Sequence, residues 1–330
     1  MRFPWTLSQW QQLIQRVTEK RLPHAMLFSG VEGLGKYDVA VDFARSLLCD
    51  RPLDNFMACG QCRSCIQFEA ATHPDFLLLS PEEEGKQIKI DQIRDLIQQF
   101  QLVSHSGGYR VAIINPADAM NLAAANSLLK CLEEPPENSL IILVSSNITA
   151  LPATILSRCQ QVHFDAPGLD MALNWLNKHQ IEFNGQEQAL LAMANGAPLK
   201  ALTSADSDEI ALRDEIFELF KAISLGTESA ITNTGQWLKS GVATPIKWVY
   251  SWVGDLIKLK CQLGKAIINH DKEPDLQKIA QQVELDGLYQ YLDKLLDTLK
   301  RQRAPLNGQM ILDDLLLDWQ SLTTAITQQR

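Results

Sequence analysis

Apolar and polar positions follow two different periods along this chain, and the change falls near its middle. Short apolar runs stand at Ala25–Ser29, Asp75–Leu79, Tyr109–Ile114 and Leu140–Ser145. Runs of this kind read as strands buried on both faces. Between them the apolar residues recur at helical spacing. Trp10, Leu13, Ile14 and Val17 share one face of an opening helix, for which Ser8 is the expected cap. Ile90–Val103 is apolar at 90, 93, 96, 97 and 100, and Asn121–Leu132 forms a third helical stretch. Strands that alternate with helices predict a parallel α/β sheet, here running to about Phe164.

After Ala166-Pro167-Gly168 the strand signals stop. Only short helical patterns follow to about Asp206, broken at Asn184-Gly185 and Asn195-Gly196. From Asp208 onward the pattern is of long amphipathic helices, such as Ile246–Ala266 and Gln309–Thr327. The expected organisation is an α/β core over residues 1–166, a small helical domain over 167–207 and an all-α domain over 208–330. Trp237, Trp248, Trp252 and Trp319 all fall in the last part, where they read as helix-bundle core. No internal repeat or low-complexity tract interrupts it.

Composition narrows the class. The 330 residues suffice for two or three domains, and 46% hydrophobic with 21% charged residues is ordinary for a globular protein. A formal charge of -9 excludes a protein that grips nucleic acid over its whole surface, so any such contact is local. The opening residues lack the apolar core of a signal peptide, and no window approaches the roughly 20 apolar residues of a membrane span. Seven cysteines, an odd number, argue against a disulfide framework and for the cytoplasm.

The first strand runs into Gly30-Val31-Glu32-Gly33-Leu34-Gly35-Lys36-Tyr37, the Gly-x-x-x-x-Gly-Lys frame of a phosphate-binding loop. In such a loop Gly30 and Gly35 let backbone N–H groups turn inward, and Lys36 and the helix N-terminus add positive potential. The next residue should be Ser or Thr, whose hydroxyl holds Mg²⁺; Tyr37 is too long for that geometry. At the end of the Tyr109–Ile114 strand, where a metal-binding Asp and a catalytic Glu belong, stand Asn115 and Pro116. Neither is a general base. Asp118, just beyond, reads as a helix-start residue. The frame therefore predicts the fold, with a degenerate loop holding no ATP.

Cys49, Cys59, Cys62 and Cys65 place four thiols within about twenty residues, among Pro52, Gly60 and polar neighbours. One closed tetrahedral zinc site is the leading reading, structural and not catalytic. An iron–sulfur cluster or a redox Cys-x-x-Cys pair also uses such spacing. Cys131, Cys159 and Cys261 lie in apolar neighbourhoods and are expected in the core.

Four features occur in one order: the four-cysteine insertion after the loop's helix; His73-Pro74-Asp75; Leu128-Leu129-Lys130-Cys131-Leu132-Glu133-Glu134-Pro135-Pro136; and Leu156-Ser157-Arg158-Cys159. In this combination the chain resembles the bacterial DNA polymerase III clamp-loader subunits of the AAA+ family, from residue 1 to about 205. The remainder is similar to that family's oligomerising collar in length and helical character. The family's ATP-hydrolysing tau/gamma branch keeps Thr after the lysine, an Asp-Glu pair at the strand end and an Arg in a Gly-Ser-x-Arg box. Tyr37, Asn115-Pro116 and Gly196-Ala197-Pro198-Leu199 stand here instead, which aligns the chain with the non-hydrolysing delta-prime branch.

The resemblance implies an AAA+ core with a zinc module, a helical lid and a collar. It implies no intrinsic ATPase activity, and a place in the DNA polymerase III holoenzyme. The implied partners are the gamma/tau and delta subunits, the sliding beta clamp and primer–template DNA. By the same resemblance, Arg158 would be an arginine finger in the ATP site of a neighbouring gamma subunit, its spacing being equally that of an ordinary helix-end salt bridge, and Lys89 and Arg94 would lie at the template phosphates. Gln87 occupies a place that is basic in the paralogue, and a solvated helix face is an equal account of Lys89 and Arg94. Two alternatives stay open at this point: an active P-loop ATPase with unusual magnesium ligands, and a zinc-dependent nucleic-acid-binding module.

Overall fold

A computed structural model describes residues 3–83, 85–104, 107–179, 186–203, 207–230, 237, 241–301 and 308–324. The chain divides into two compact units, residues 1–171 and 172–330.

The first unit is built on five parallel strands: β1 (Ala25–Ser29), β2 (Phe76–Leu79), β3 (Arg110–Ile114), β4 (Ser139–Ser145) and β5 (Gln160–His163). Their order across the sheet is β2-β3-β4-β1-β5. Ala25 pairs with Ile141, Phe76 with Val111, Arg110 with Ser139 and Met26 with Gln160. The three central strands are buried at every position, which is what their unbroken apolar runs require of a sheet covered on both faces. Ala25, Leu27, Ala112, Ile114, Ile141 and Leu143 pack with Ile93, Leu96, Phe100, Leu128 and Leu132 of the helices α4 (Ile90–Phe100) and α5 (Leu122–Glu133). The alternate positions, among them Met26, Phe28, Ile113 and Ile142, are equally buried, and α2 (Lys36–Leu47) packs on β1, β3 and β4.

Three local features depart from the sequence pattern. β5 was not expected as a strand; it lies at the sheet edge, where only Val162 of its four residues is buried. The opening helix α1 (Leu7–Thr18) is preceded by a 3₁₀ turn at Pro4–Thr6, so Ser8 lies inside its first turn and is not the cap. α4 stops at Phe100, and Val103 is 89% exposed. Arg110, buried at the start of β3, takes up the carbonyls of Gln99 and Leu102, which closes the helix end with a charged donor. A short α3 (Arg63–Glu69) and α6 (Ala153–Leu156) complete this unit's helices up to α7 (Leu169–Lys178), within which the division into units falls.

The second unit contains, among the described residues, helices only. α8 (Glu187–Met193) ends in a left-handed turn at Asn195 and Gly196, with Gly196 N–H donating to Leu191 O at 2.7 Å. α9 (Pro198–Thr203) holds the half-buried Leu199 in its first turn. The break at Asn184-Gly185 lies outside the described residues. The long helices are α10 (Ser207–Ser224), α11 (Ala243–Lys260), α13 (Leu285–Arg301) and α14 (Gly308–Thr324), with the shorter α12 (Glu273–Ala280) between α11 and α13. α11 starts earlier and ends earlier than its apolar period suggested; Gln262 takes a left-handed conformation and a 3₁₀ turn follows at Gly264–Ala266. Residues 325–327, expected to extend α14, lie outside the described residues.

Trp237, Trp248, Trp252 and Trp319 are all buried. Trp319 stacks on Phe220 at 4.6 Å between centroids, and its indole N–H donates to Ser224 Oγ at 2.9 Å. Arg213, with no exposed surface, donates to Asp271 at 2.7 Å and to Asn269 at 2.8 Å. Asp255, equally buried, accepts from the N–H groups of Ile268 and Asn269. These buried charges are paired, as burial demands, and they pin the irregular segment between α11 and α12. No described helix is long and apolar enough to cross a membrane.

Candidate functional site

The Gly30–Tyr37 loop joins β1 to α2 as its spacing predicted. Gly30 sits at φ +140°, and a Cβ there would lie 2.3 Å from Phe164 O, so only glycine lets the two backbones approach. Gly35 caps α2 in a left-handed conformation, and a Cβ would meet the Phe3 ring at 2.5 Å. Phe3 stacks on Trp5, whose indole N–H donates to Leu34 O at 3.0 Å. The N-terminal turn therefore lies directly against the loop.

Lys36 does not reach outward. Its Nζ donates to Gly30 O at 2.8 Å, Val31 O at 2.6 Å and Ser146 Oγ at 3.1 Å. An ammonium has three N–H donors, and these three acceptors use them all. Ser146, beyond the end of β4, is held in turn by Asp118, whose Oδ1 accepts from its backbone N–H at 3.1 Å. Asp118 lies in a 3₁₀ turn at Ala117–Ala119 just after β3, so this bond links the ends of β3 and β4. Burial pulls the Lys36 ammonium down to about 8, against the favourable charges of Asp118 and Glu32. Tyr37 is pushed above its ordinary value by burial and by Asp38. Asn115 and Pro116 are half-buried at the end of β3, where Asn115 N–H donates to Leu79 O. The spacing reached Gly30, Gly35 and Lys36. Ser146 and Phe3, which close the loop, carry no motif and are found only by folding the chain.

The four predicted metal-site cysteines converge. Their sulfurs all lie within 4.8 Å of one another, with Cys49–Cys59 at 3.6 Å, Cys49–Cys62 at 3.8 Å and Cys59–Cys65 at 4.0 Å. These separations exceed a disulfide bond, and all four thiols are free. A tetrahedron with metal–sulfur bonds of about 2.3 Å has edges of roughly 3.8 Å, so the cluster fits one metal ion. Cys49 follows α2; Cys62 caps α3 by accepting from Cys65 N–H; Cys59 accepts from Cys62 N–H at 3.4 Å. The backbone N–H groups of Gln61 and Cys62 draw the Cys59 thiol down to about 6, while burial pushes Cys65 up to about 12. Such N–H donors stabilise the thiolates that a metal takes. Of the other three cysteines, Cys131 and Cys159 are buried as expected, and burial raises both thiols, Cys159 to about 11. Cys261 is exposed: it lies past the end of α11, where the apolar face no longer continues.

Arg158 follows α6, between the buried Ile155 and Cys159. Its Nη1 donates to Thr154 O at 3.0 Å, and its Nη2 lies 2.6 Å from Glu133 Oε1 at the end of α5. Glu133 was not singled out by sequence reasoning. Lys89 and Arg94 are exposed, one preceding α4 and one within it. Lys89 N–H donates to Gln92 Oε1, and Arg94 pairs with Asp91 at 3.2 Å.

The family model described as "DNA polymerase III, delta subunit" matches residues 6–168, and that described as "DNA polymerase III, delta subunit, C terminal" matches residues 207–321. DNA polymerase III subunit delta' of Pseudomonas aeruginosa is 32% identical, covering 97% of this chain and 98% of its own. This chain belongs to the DNA polymerase III subunit delta' family. The delta' subunit of Yersinia pestis is 29% identical over 97% of this chain and 95% of its own. DNA polymerase III subunit tau of Escherichia coli is 31% identical over 59% of this chain, covering 30% of its own length. Within the delta' family frame, the loop, the cysteine cluster and Arg158 all fall in the part matched by the first model, and the long helices in the part matched by the second.

Proposed function

We propose that this chain serves as the non-hydrolysing delta-prime subunit of a cytoplasmic clamp loader, which places the sliding beta clamp on primer–template DNA during replication. One observation carries the non-hydrolysing reading: all three donors of Lys36 are taken by Gly30 O, Val31 O and Ser146 Oγ. A phosphate would have to displace these bonds, and Tyr37 after the lysine and Asn115-Pro116 at the strand end supply neither the hydroxyl that holds magnesium nor a general base to reward it. The chain then acts by assembly. Residues 1–166 form the AAA+ core, 167–207 its lid and 208–330 the collar that binds the gamma/tau and delta subunits.

Arg158 is the residue that acts on chemistry, as an arginine finger at the ATP site of a neighbouring gamma subunit. Its planar fork stabilises charge developing on the transferred phosphoryl group. Zinc is the ion of the four-cysteine site, where it braces the segment between α2 and α3; it takes no part in catalysis. Lys89 and Arg94 contribute sequence-blind contacts to the template backbone.

The deciding experiment pairs two measurements. Equilibrium binding should detect no tight, Mg²⁺-dependent ATP binding by the purified chain. In the reconstituted loader, Arg158→Ala should leave assembly intact and lower DNA- and clamp-stimulated ATP hydrolysis. A finger contributes roughly 10³–10⁵-fold at the site it serves, so the loss summed over several sites is partial. Tight ATP binding with turnover by the chain alone, or wild-type hydrolysis by the Arg158→Ala loader, would overturn the respective half of this reading.

A further inference from the structure

We infer that Glu133 is a positioning residue for Arg158, holding its guanidinium on a fixed line while part of the fork, Nε included, stays open to an anion. The inference rests on the trans-acting role proposed above for Arg158.

The two side chains leave a single packed cluster. Leu128, Cys131 and Leu132 of α5, with Ile155 of α6 and Cys159 just after it, are all buried together. Glu133 is the residue after Leu132, and Arg158 the residue before Cys159, so both backbones are anchored by their neighbours. Glu133 Oε1 lies 2.6 Å from Arg158 Nη2, and Thr154 O accepts from Nη1 at 3.0 Å, with Ser157 Oγ at 3.4 Å. A carboxylate on one side and a carbonyl on the other hold the fork between them. Without the carboxylate, the long stem regains its rotamers, and the alignment must be restored when the neighbour's phosphate arrives.

A latch that merely sequesters the arginine would occupy its whole fork. Here Nε has no partner among the described residues, and Nη2 carries two N–H groups against one carboxylate oxygen, so part of the fork retains open donors. An anion can dock there while Glu133 stays in place. The pair is partly open to solvent, with 34% of the Arg158 and 50% of the Glu133 side chain exposed, so the coupling is modest.

The test uses the complete loader reconstituted with this chain as wild type, Glu133→Ala, Glu133→Gln, Arg158→Ala and the Glu133→Ala/Arg158→Ala double variant. Intact assemblies are isolated before DNA- and clamp-stimulated ATP hydrolysis is measured. Glu133→Ala should lower the part of kcat that Arg158→Ala removes about two- to five-fold, the range spanned by an exposed ion pair, with KM for ATP unchanged. Glu133→Gln keeps an acceptor at the same place and should lose less. On the Arg158→Ala background the Glu133→Ala change should have no further effect. An unchanged or faster Glu133→Ala enzyme, or the same loss with Arg158 already removed, overturns the positioning role while leaving the finger intact. If Arg158→Ala itself hydrolyses at the wild-type rate, the finger reading falls and this inference with it.

Discussion

Lys36 Nζ lies 2.8 Å from the carbonyl oxygen of Gly30, the first residue of its own loop. A side chain that phosphate-binding loops direct at a ligand is here part of the loop's internal structure. Replacing it should therefore affect folding before it affects chemistry. Lys36→Ala leaves the Gly30, Val31 and Ser146 acceptors without their donor, a loss of about 1–3 kcal/mol of stability. Urea unfolding should record that loss, and clamp loading per folded subunit should stay near wild type. A large fall in loading with stability unchanged would mean that the lysine works on a nucleotide.

The same lysine gives stability a pH dependence. Its folded value is about 8, against 10.5 for the free side chain. Between those limits the unfolded chain binds a proton that the folded chain has released, so this group makes stability rise as pH rises from 8 to 10.5. The urea midpoint of wild type, relative to that of Lys36→Met, which cannot titrate, should rise between pH 8 and pH 10. Parallel pH profiles for the two proteins would rule the effect out.

For the cysteine cluster, elemental analysis should find one zinc per chain, and Cys62→Ser should abolish it. A chelator strong enough to strip the ion should loosen the segment around α3, read as increased proteolysis there. Iron with a visible chromophore, or no metal at all, would contradict the assignment.

Arg213 should be among the costliest positions in the second unit. Arg213→Ala leaves Asp271 and Asn269 without their buried partner, and breaking such a pair costs about 3–5 kcal/mol. Equilibrium unfolding would measure it. A change under 1 kcal/mol, on the order of an exposed pair, would show that water replaces the guanidinium.

Much of this protein is legible before it folds. The apolar runs of β1, β3 and β4 mark central strands, because a strand covered on both faces has no polar position to spare. The Cys49, Cys59, Cys62 and Cys65 spacing brings four thiols to one point, because Cys59, Cys62 and Cys65 are local and Cys49 directly follows the preceding helix. β5 is not legible: an edge strand with one buried residue in four has no periodic signature. Cys261 misled for a related reason, since local apolar neighbours do not say where a helix ends.

What the tertiary structure alone decided are contacts between residues far apart in sequence. Lys36 meets Ser146, separated from it by 110 positions, only because β1 and β4 lie side by side with their carboxyl ends aligned. Glu133 meets Arg158 because α5 and α6 share one buried cluster. Local sequence sets period, caps and ligand spacing through forces that act within a few residues. Which side chain closes a loop or steadies an arginine depends on strand order and helix packing, and those are settled by burial over the whole unit.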